Sequence, residues 1–182
     1  MNETCGLVIV YTGDGKGKTT AALGLALRAY GNGLRVLILQ FIKGGQTYGE
    51  LAALNNLPAT KTTGKIVIKQ CGKGFTRAKG ATDNERHKIA AAAALDCAKQ
   101  AITSGEWDMI ILDEINYAVK FGLIEGNAPT ELLAMRSPTL HLVFTGRDAT
   151  ADLIAQADLV TEMKCVKHPF ANGVAAQAGI EF

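Results

Sequence analysis

No two of the four cysteines, Cys5, Cys71, Cys97 and Cys165, stand at metal-ligand spacing. Without a C-x-x-C pair or a Cys/His cluster, neither a zinc site nor a dense disulfide framework is expected, and a reducing cytoplasm fits best. Charge of one sign is also scarce, the formal net charge being +2. That is too little for a general nucleic-acid or membrane footprint. Aromatic residues make up only 6% of the chain. The one basic stretch without an acid, Lys61 to Lys79, contains five lysines and one arginine but a single aromatic, Phe75. A single-stranded nucleic-acid groove would interleave several aromatics, so no nucleic-acid partner is expected. No apolar run is long enough to cross a bilayer and no charged, then apolar, leader opens the chain, so neither membrane insertion nor export is expected. There is no internal repeat and no Pro/Ser-rich linker, and residues 1–182 are expected to form one domain.

What is present is alternation. Six runs rich in β-branched residues, "LVIVY" from Leu7, "VLILQF" from Val36, "KIVIK" from Lys65, "MIILD" from Met109, "LHLVFT" from Leu140 and "LVTEMK" from Leu159, are separated by helical patterns. Such alternation predicts βαβ units and a parallel sheet. Near-continuous apolar strands imply burial on both faces. The expected fold is therefore α/β, a P-loop NTPase-like three-layer α/β/α sandwich around a mostly parallel six-stranded sheet. The clearest helix opens at "TDNERHK", with Thr82 and Glu85 as a capping box, and ends near Gly105.

The first strand runs into "YTGDGKGKTTAALG", Tyr11 to Gly24. In the phosphate-binding pattern G-x-x-x-x-G-K-[ST], small residues turn backbone N–H groups inward, the lysine reaches phosphate oxygens and the hydroxyl binds Mg²⁺. Gly17, Lys18 and Thr19 fit its second half. The first glycine falls on Thr12, with Gly13 and Gly15 supplying freedom close by. The following helix offers free N–H groups and a favourable dipole to an anion. Gly13, Asp14, Gly15, Lys16, Gly17, Lys18, Thr19 and Thr20 are thus candidate nucleotide-binding residues, Lys16 being either a phosphate contact or a solvated loop charge.

A parallel sheet places all C-terminal strand ends at one edge, where ligands bind. "MIILDE" delivers Asp113 and Glu114 there, expected beside the first strand's loop, as candidates for holding Mg²⁺ or Mn²⁺ together with Thr19. "LHLVFT" continues into "GRD", placing Arg147 at the same edge, either on phosphate or in an ion pair with Asp148. The acids would also serve an ATPase or kinase, but an arginine-rich lid is missing: between the long helix and Gly146 only Arg86 and Arg136 occur.

Several separate stretches agree on a family. "YTGDGKGKTTAA", "QFIKG" (Gln40 to Gly44), "GFT" (Gly74 to Thr76), "DEINY" (Asp113 to Tyr117), "TGR" (Thr145 to Arg147) and "KHPFANGVAAQAGIEF" (Lys167 to Phe182) occur in order along nearly the whole chain. Together they resemble the ATP:cob(I)alamin adenosyltransferases of the P-loop type, in which a threonine at the position of Thr12 is usual. The resemblance implies transfer of the 5′-deoxyadenosyl group of ATP to the Co(I) centre of a reduced corrinoid, with release of triphosphate, in cobalamin synthesis or salvage. It implies Lys18 and Glu114 as the principal catalytic groups, Thr19, Glu114 and Asp113 as the metal holders, and Phe75 as an aromatic that helps displace the corrinoid's lower axial ligand. Arg77 stands where a family member has a second aromatic. Also implied are an electron-donating reductase or flavodoxin-like partner and a homodimer. Longer members carry a leading helix over the site, so here the tail is the expected cover, with His168 and Phe170 expected to pack. Phosphoryl transfer by a P-loop kinase or ATPase, and a nucleotide-gated corrinoid carrier, are the competing readings.

Overall fold

The computed structural model describes residues 5–45, 48–58, 64–74 and 81–181, with side chains from 84 onward in the last segment. Six strands form one sheet: β1 (Val8–Thr12), β2 (Arg35–Gln40), β3 (Lys65–Gln70), β4 (Met109–Asp113), β5 (His141–Thr145) and β6 (Leu159–Glu162). All six of the apolar runs are strands. The order is β3-β2-β4-β5-β1-β6, and every pairing is parallel rather than merely most of them. The helices are α1 (Lys18–Gly31), α2 (Gly49–Asn55), α3 (Ala81–Thr103), α4 (Ile115–Lys120), α5 (Ala128–Met135) and α6 (Ala151–Gln156). The long helix is present as α3, while the side chain of Thr82, on which its capping box depends, lies outside the described residues.

Strand periodicity sorts the core into two layers. Ile9, Ile38, Ile111 and Val143 point to one face and meet Ala22, Ala26 and Ala29 of α1. Those alanines recur at i, i+4 and i+7, so a narrow stripe of small side chains lets the helix lie close to the sheet. Val10, Leu39, Leu112 and Phe144 point to the other face and meet Ala91, Ala94, Ala98 and Ile102 of α3, together with Leu132 of α5 and Leu153 of α6. The three-layer sandwich follows, because strands buried on both faces need a helical cover on each.

The same alternation positions the site. Continuing the α1-facing series past Ile38, Ile111 and Val143 reaches Gln40, Asp113 and Thr145 at the C-terminal ends of β2, β4 and β5. Register pairs Gln40 with both Gln70 and Asp113. The apolar columns therefore end in a polar row beneath the first turn of α1. β4 and β1 are not neighbours, because β5 pairs with both and separates them, yet the acids lie beside the first strand's loop as expected. The acids meet the loop only because α1 crosses the intervening strand.

Candidate active site

The loop after β1 is bent by glycines whose conformations other residues rarely adopt. Gly13 has φ 90° and Gly17 φ 105°. A side chain at Gly13 would also strike the Met163 carbonyl oxygen, its Cβ lying 2.5 Å away. The loop leans on the chain leaving β6, with Gly15 N donating to Met163 O at 2.6 Å and Met163 N donating to Thr12 O at 2.8 Å. Thr12 is thus buried in the β1 ladder, and its hydroxyl accepts from Ala149 N at 3.2 Å. That role explains why a threonine serves at this position: it pins the neighbouring loop instead of turning the chain.

Lys18 curls back into the loop and is buried. Its Nζ donates to the carbonyls of Gly13 (2.7 Å) and Gly15 (2.6 Å). Burial pulls its ammonium below the usual lysine range, against the opposing pull of Glu114. Gly17 caps α1, whose first turn holds no acidic residue. The N-terminal N–H groups and Lys18 together create an anion-attracting cradle.

Asp113 is fully buried. Its Oδ1 accepts from Thr19 Oγ1 (2.8 Å) and Thr145 Oγ1 (2.7 Å), and its Oδ2 accepts from Gln40 Nε2 (3.1 Å). Lys43 Nζ stands 4.0 Å from Oδ2 and 3.0 Å from Glu50 Oε1, with its charge 4.5 Å above the Tyr48 ring. Asp113 is therefore an anchor with its near lone pairs engaged. Because Thr19 spends its proton on Asp113, its oxygen lone pairs are free to face a cation.

Glu114 follows in a left-handed conformation, φ 62°. Its backbone N donates to Thr145 Oγ1 at 2.9 Å, so one threonine hydroxyl links both acids. Burial, reinforced by the Asp113 charge, raises the Glu114 carboxyl from the usual 4.5 to about 7. A carboxylate held this close to neutrality gains from a cation brought beside it. Among the described residues no three His, Cys, Asp or Glu side chains converge on one point. A cation here would draw most of its oxygens from phosphate and water, as Mg²⁺ usually does.

The remaining expected residues separate. Arg147 Nε lies 4.0 Å from Asp14 Oδ1, both side chains being largely exposed. The alternative pairing of Arg147 with Asp148 is corrected: Asp148 pairs with Lys120 at 2.5 Å. Lys16 forms an ion pair with Glu181, which ties the tail to the loop. Thr20 is exposed on α1. Phe75 and Arg77 lie outside the described residues. Phe170 is 76% exposed, so it does not pack as expected. His168 caps the short 3₁₀ turn instead, its Nδ1 accepting from Phe170 N at 3.1 Å. Arg136, one of two arginines considered for a lid, donates to the carbonyls of Gly6 and Leu140, just ahead of β1 and β5 and at the opposite edge of the sheet.

Sequence reasoning assigned no role to Gln40, Lys43 or Thr145. The usable signal was the period of two, since each of Gln40 and Thr145 ends the same apolar series as Asp113. Lys43 had no such signal, because it lies past the end of its strand.

Comparison with known proteins agrees with this arrangement. Residues 4–182 match the family described as ATP:corrinoid adenosyltransferase BtuR/CobO/CobP. A corrinoid adenosyltransferase of Pseudomonas aeruginosa is 37% identical over 177 residues, covering 97% of this chain and 84% of that protein. One from a Sinorhizobium species is 40% identical over 179 residues, covering 97% and 80% respectively. One from Escherichia coli is 36% identical over 178 residues, covering 97% and 86%. With a match spanning almost the whole sequence, and with a lysine-bearing loop after β1 joined to the buried Asp113 beside Glu114, the chain belongs to the ATP:corrinoid adenosyltransferase family of enzymes.

Proposed function

We propose that this protein, working as one nucleotide-binding unit over residues 1–182, transfers the 5′-deoxyadenosyl group of ATP to the Co(I) centre of a reduced corrinoid. The observation that carries the reading is the Thr19 to Asp113 hydrogen bond, which fixes the phosphate loop over the acid pair. The cobalt lone pair attacks the ribose 5′-carbon and forms the cobalt–carbon bond. The bond from that carbon to oxygen breaks, and its electron pair leaves with intact triphosphate. No side chain has to act as the nucleophile, so the protein's contribution is orientation and electrostatic stabilisation.

Lys18 and the N–H groups from Gly13 to Thr19, other than that of Gly15, which is engaged by Met163 O, hold the triphosphate and stabilise the charge that grows on it. Lys18 exchanges carbonyl partners for phosphate oxygens, which bind an ammonium more strongly because they are charged. Thr19 and Glu114 would hold Mg²⁺, with Asp113 acting through Thr19, and the ion would supply charge neutralisation to the leaving group. Asp14 and Arg147 stand at the mouth of the loop, where Arg147 is placed to meet a phosphate. Phe75 is assigned to the corrinoid side, and an electron-donating reductase or flavodoxin-like protein supplies the electron for Co(I). A homodimer is the proposed assembly. Arg136, engaged at the far edge of the sheet, is not part of a phosphoryl-transfer lid over this site.

Anaerobic product analysis with ATP, Mg²⁺ and a pre-reduced corrinoid tests the reading. Triphosphate together with a light-sensitive cobalt–carbon product is expected. ADP or free phosphate with unchanged corrinoid would overturn it.

A further inference from the structure

The segment that leaves β6 touches the phosphate loop at both of its ends. At the near end Met163 O accepts from Gly15 N at 2.6 Å, and Met163 N donates to Thr12 O at 2.8 Å. At the far end the Glu181 carboxylate pairs with Lys16. Between these points the segment has little hold on the body of the protein. Among the described residues its backbone hydrogen bonds run within itself, from Ala171 N to His168 O, from Gly173 N to Phe170 O, and from both Ile180 N and Glu181 N to Gln177 O. Val166, Phe170 and Ile180 turn apolar side chains to solvent. A segment with so few buried apolar contacts opens at low free-energy cost. Residues 164–181 thus form a strap whose far end is fastened to the loop by an ion pair.

The two lysines of the loop are satisfied differently. Lys18 is held by neutral acceptors, the carbonyls of Gly13 and Gly15. Lys16 is held by an anion, and that anion is the better covered partner: the Glu181 side chain is 16% exposed and that of Lys16 51%. An acid in this position is a poor neighbour for a triphosphate, because both compete for one ammonium and like charges held side by side repel. The competition is unequal. A partly exposed carboxylate pair contributes little and yields readily, whereas a polyphosphate brings several charges to the same ammonium.

Resting on the nucleotide-binding reading above, we propose that Glu181 makes an autoinhibitory contact: its carboxylate occupies Lys16 in the empty loop, the triphosphate of ATP displaces it, and the strap is released as the nucleotide binds. Lys16 is thereby assigned to phosphate in the loaded protein and to Glu181 in the empty one. The coupling is reciprocal, because a ligand that loosens the strap must itself bind more tightly, by the same factor, once the strap is loose.

The test pairs calorimetric titration of the full chain with Mg²⁺·ATP and hydrogen-exchange mass spectrometry of residues 170–181. Glu181→Gln keeps the side chain's size and the backbone bond to Gln177 O but removes the charge. It should tighten Mg²⁺·ATP about threefold to fivefold, the range of a partly exposed ion pair. In a Lys16→Ala background the same substitution should change affinity by less than about twofold, because the contested ammonium is gone. In wild type, Mg²⁺·ATP and inorganic tripolyphosphate should each speed exchange of the strap amides, adenosine should not, and Glu181→Gln should exchange fast from the start. Unchanged or weaker ATP binding by Glu181→Gln, an equal gain with and without Lys16, or strap amides that ATP leaves unchanged or slows would each overturn the inference. A Glu181 that merely anchors the strap would loosen it without moving ATP affinity. If product analysis found ADP in place of triphosphate, the adenosyl-transfer reading would fall while these affinity and exchange differences persisted.

Discussion

Glu114 should cost the metal-free protein stability in a pH-dependent way, and replacing it with glutamine should remove that cost. Folding raises the carboxyl from the usual 4.5 to about 7, chiefly through burial. The folded state therefore binds this proton more tightly than the unfolded state does. Below pH 4.5 both states are protonated and there is no penalty. As the pH rises the unfolded state ionises first, and stability falls until the folded carboxyl also ionises near pH 7. Each pH unit between the two values is worth about 1.4 kcal/mol, so the full penalty above pH 7 is roughly 3 kcal/mol. Glutamine has the same shape and no charge to bury. In EDTA, Glu114→Gln should match wild type near pH 4.5 and exceed it by pH 8, with Tm higher by roughly 6–12 °C for a domain of this size. Thermal denaturation followed by circular dichroism across pH 4.5 to 8.5 measures the difference directly. Adding Mg²⁺ and ATP should shrink it, because the cation favours the ionised wild-type group. A stability difference that stays constant with pH, or a glutamine variant less stable than wild type at pH 8, would refute the reasoning.

Two further outcomes follow from the loop. Lys18→Ala strips the donor from the Gly13 and Gly15 carbonyls; it should destabilise the fold by about 1–3 kcal/mol and lower kcat by about 10²–10³-fold. Steady-state rates with pre-reduced corrinoid check this, and an unchanged kcat would remove Lys18 from the leaving-group assignment. Gly13→Ala combines a positive φ of 90° with a Cβ 2.5 Å from the Met163 carbonyl oxygen. It should lower stability in urea by about 2 kcal/mol or more and displace the loop from β6; a midpoint equal to wild type would show that the contact yields freely.

The tail and the loop show why some expectations failed. "KHPFANGVAAQAGIEF" has the look of a covering segment, yet nothing in its composition distinguishes packing from exposure, and Phe170 faces solvent. Its tie to the site is an ion pair between Glu181 and Lys16, residues 165 positions apart in sequence. Arg147 likewise chose Asp14 over its neighbour Asp148 because the loop after β1 passes in front of it. Such choices depend on which chain segments are brought side by side, not on neighbours along one segment.

The part of the fold legible along the chain is local and periodic. Six β-branched runs marked the six strands, and the spacing of Gly13, Gly15, Gly17, Lys18 and Thr19 marked the loop between β1 and α1. These are short-range properties, set by steric limits and by the burial of every second or every third and fourth residue. Only the tertiary structure decided that β5 separates β1 from β4. It also decided that Asp113 is an anchor with engaged lone pairs, and that Gln40 carries an unpaired oxygen beside it. The physical reason is that strand order and side-chain partnership are long-range: a hydrogen bond from Thr19 to Asp113 spans 94 residues, and no local preference at either end specifies the other.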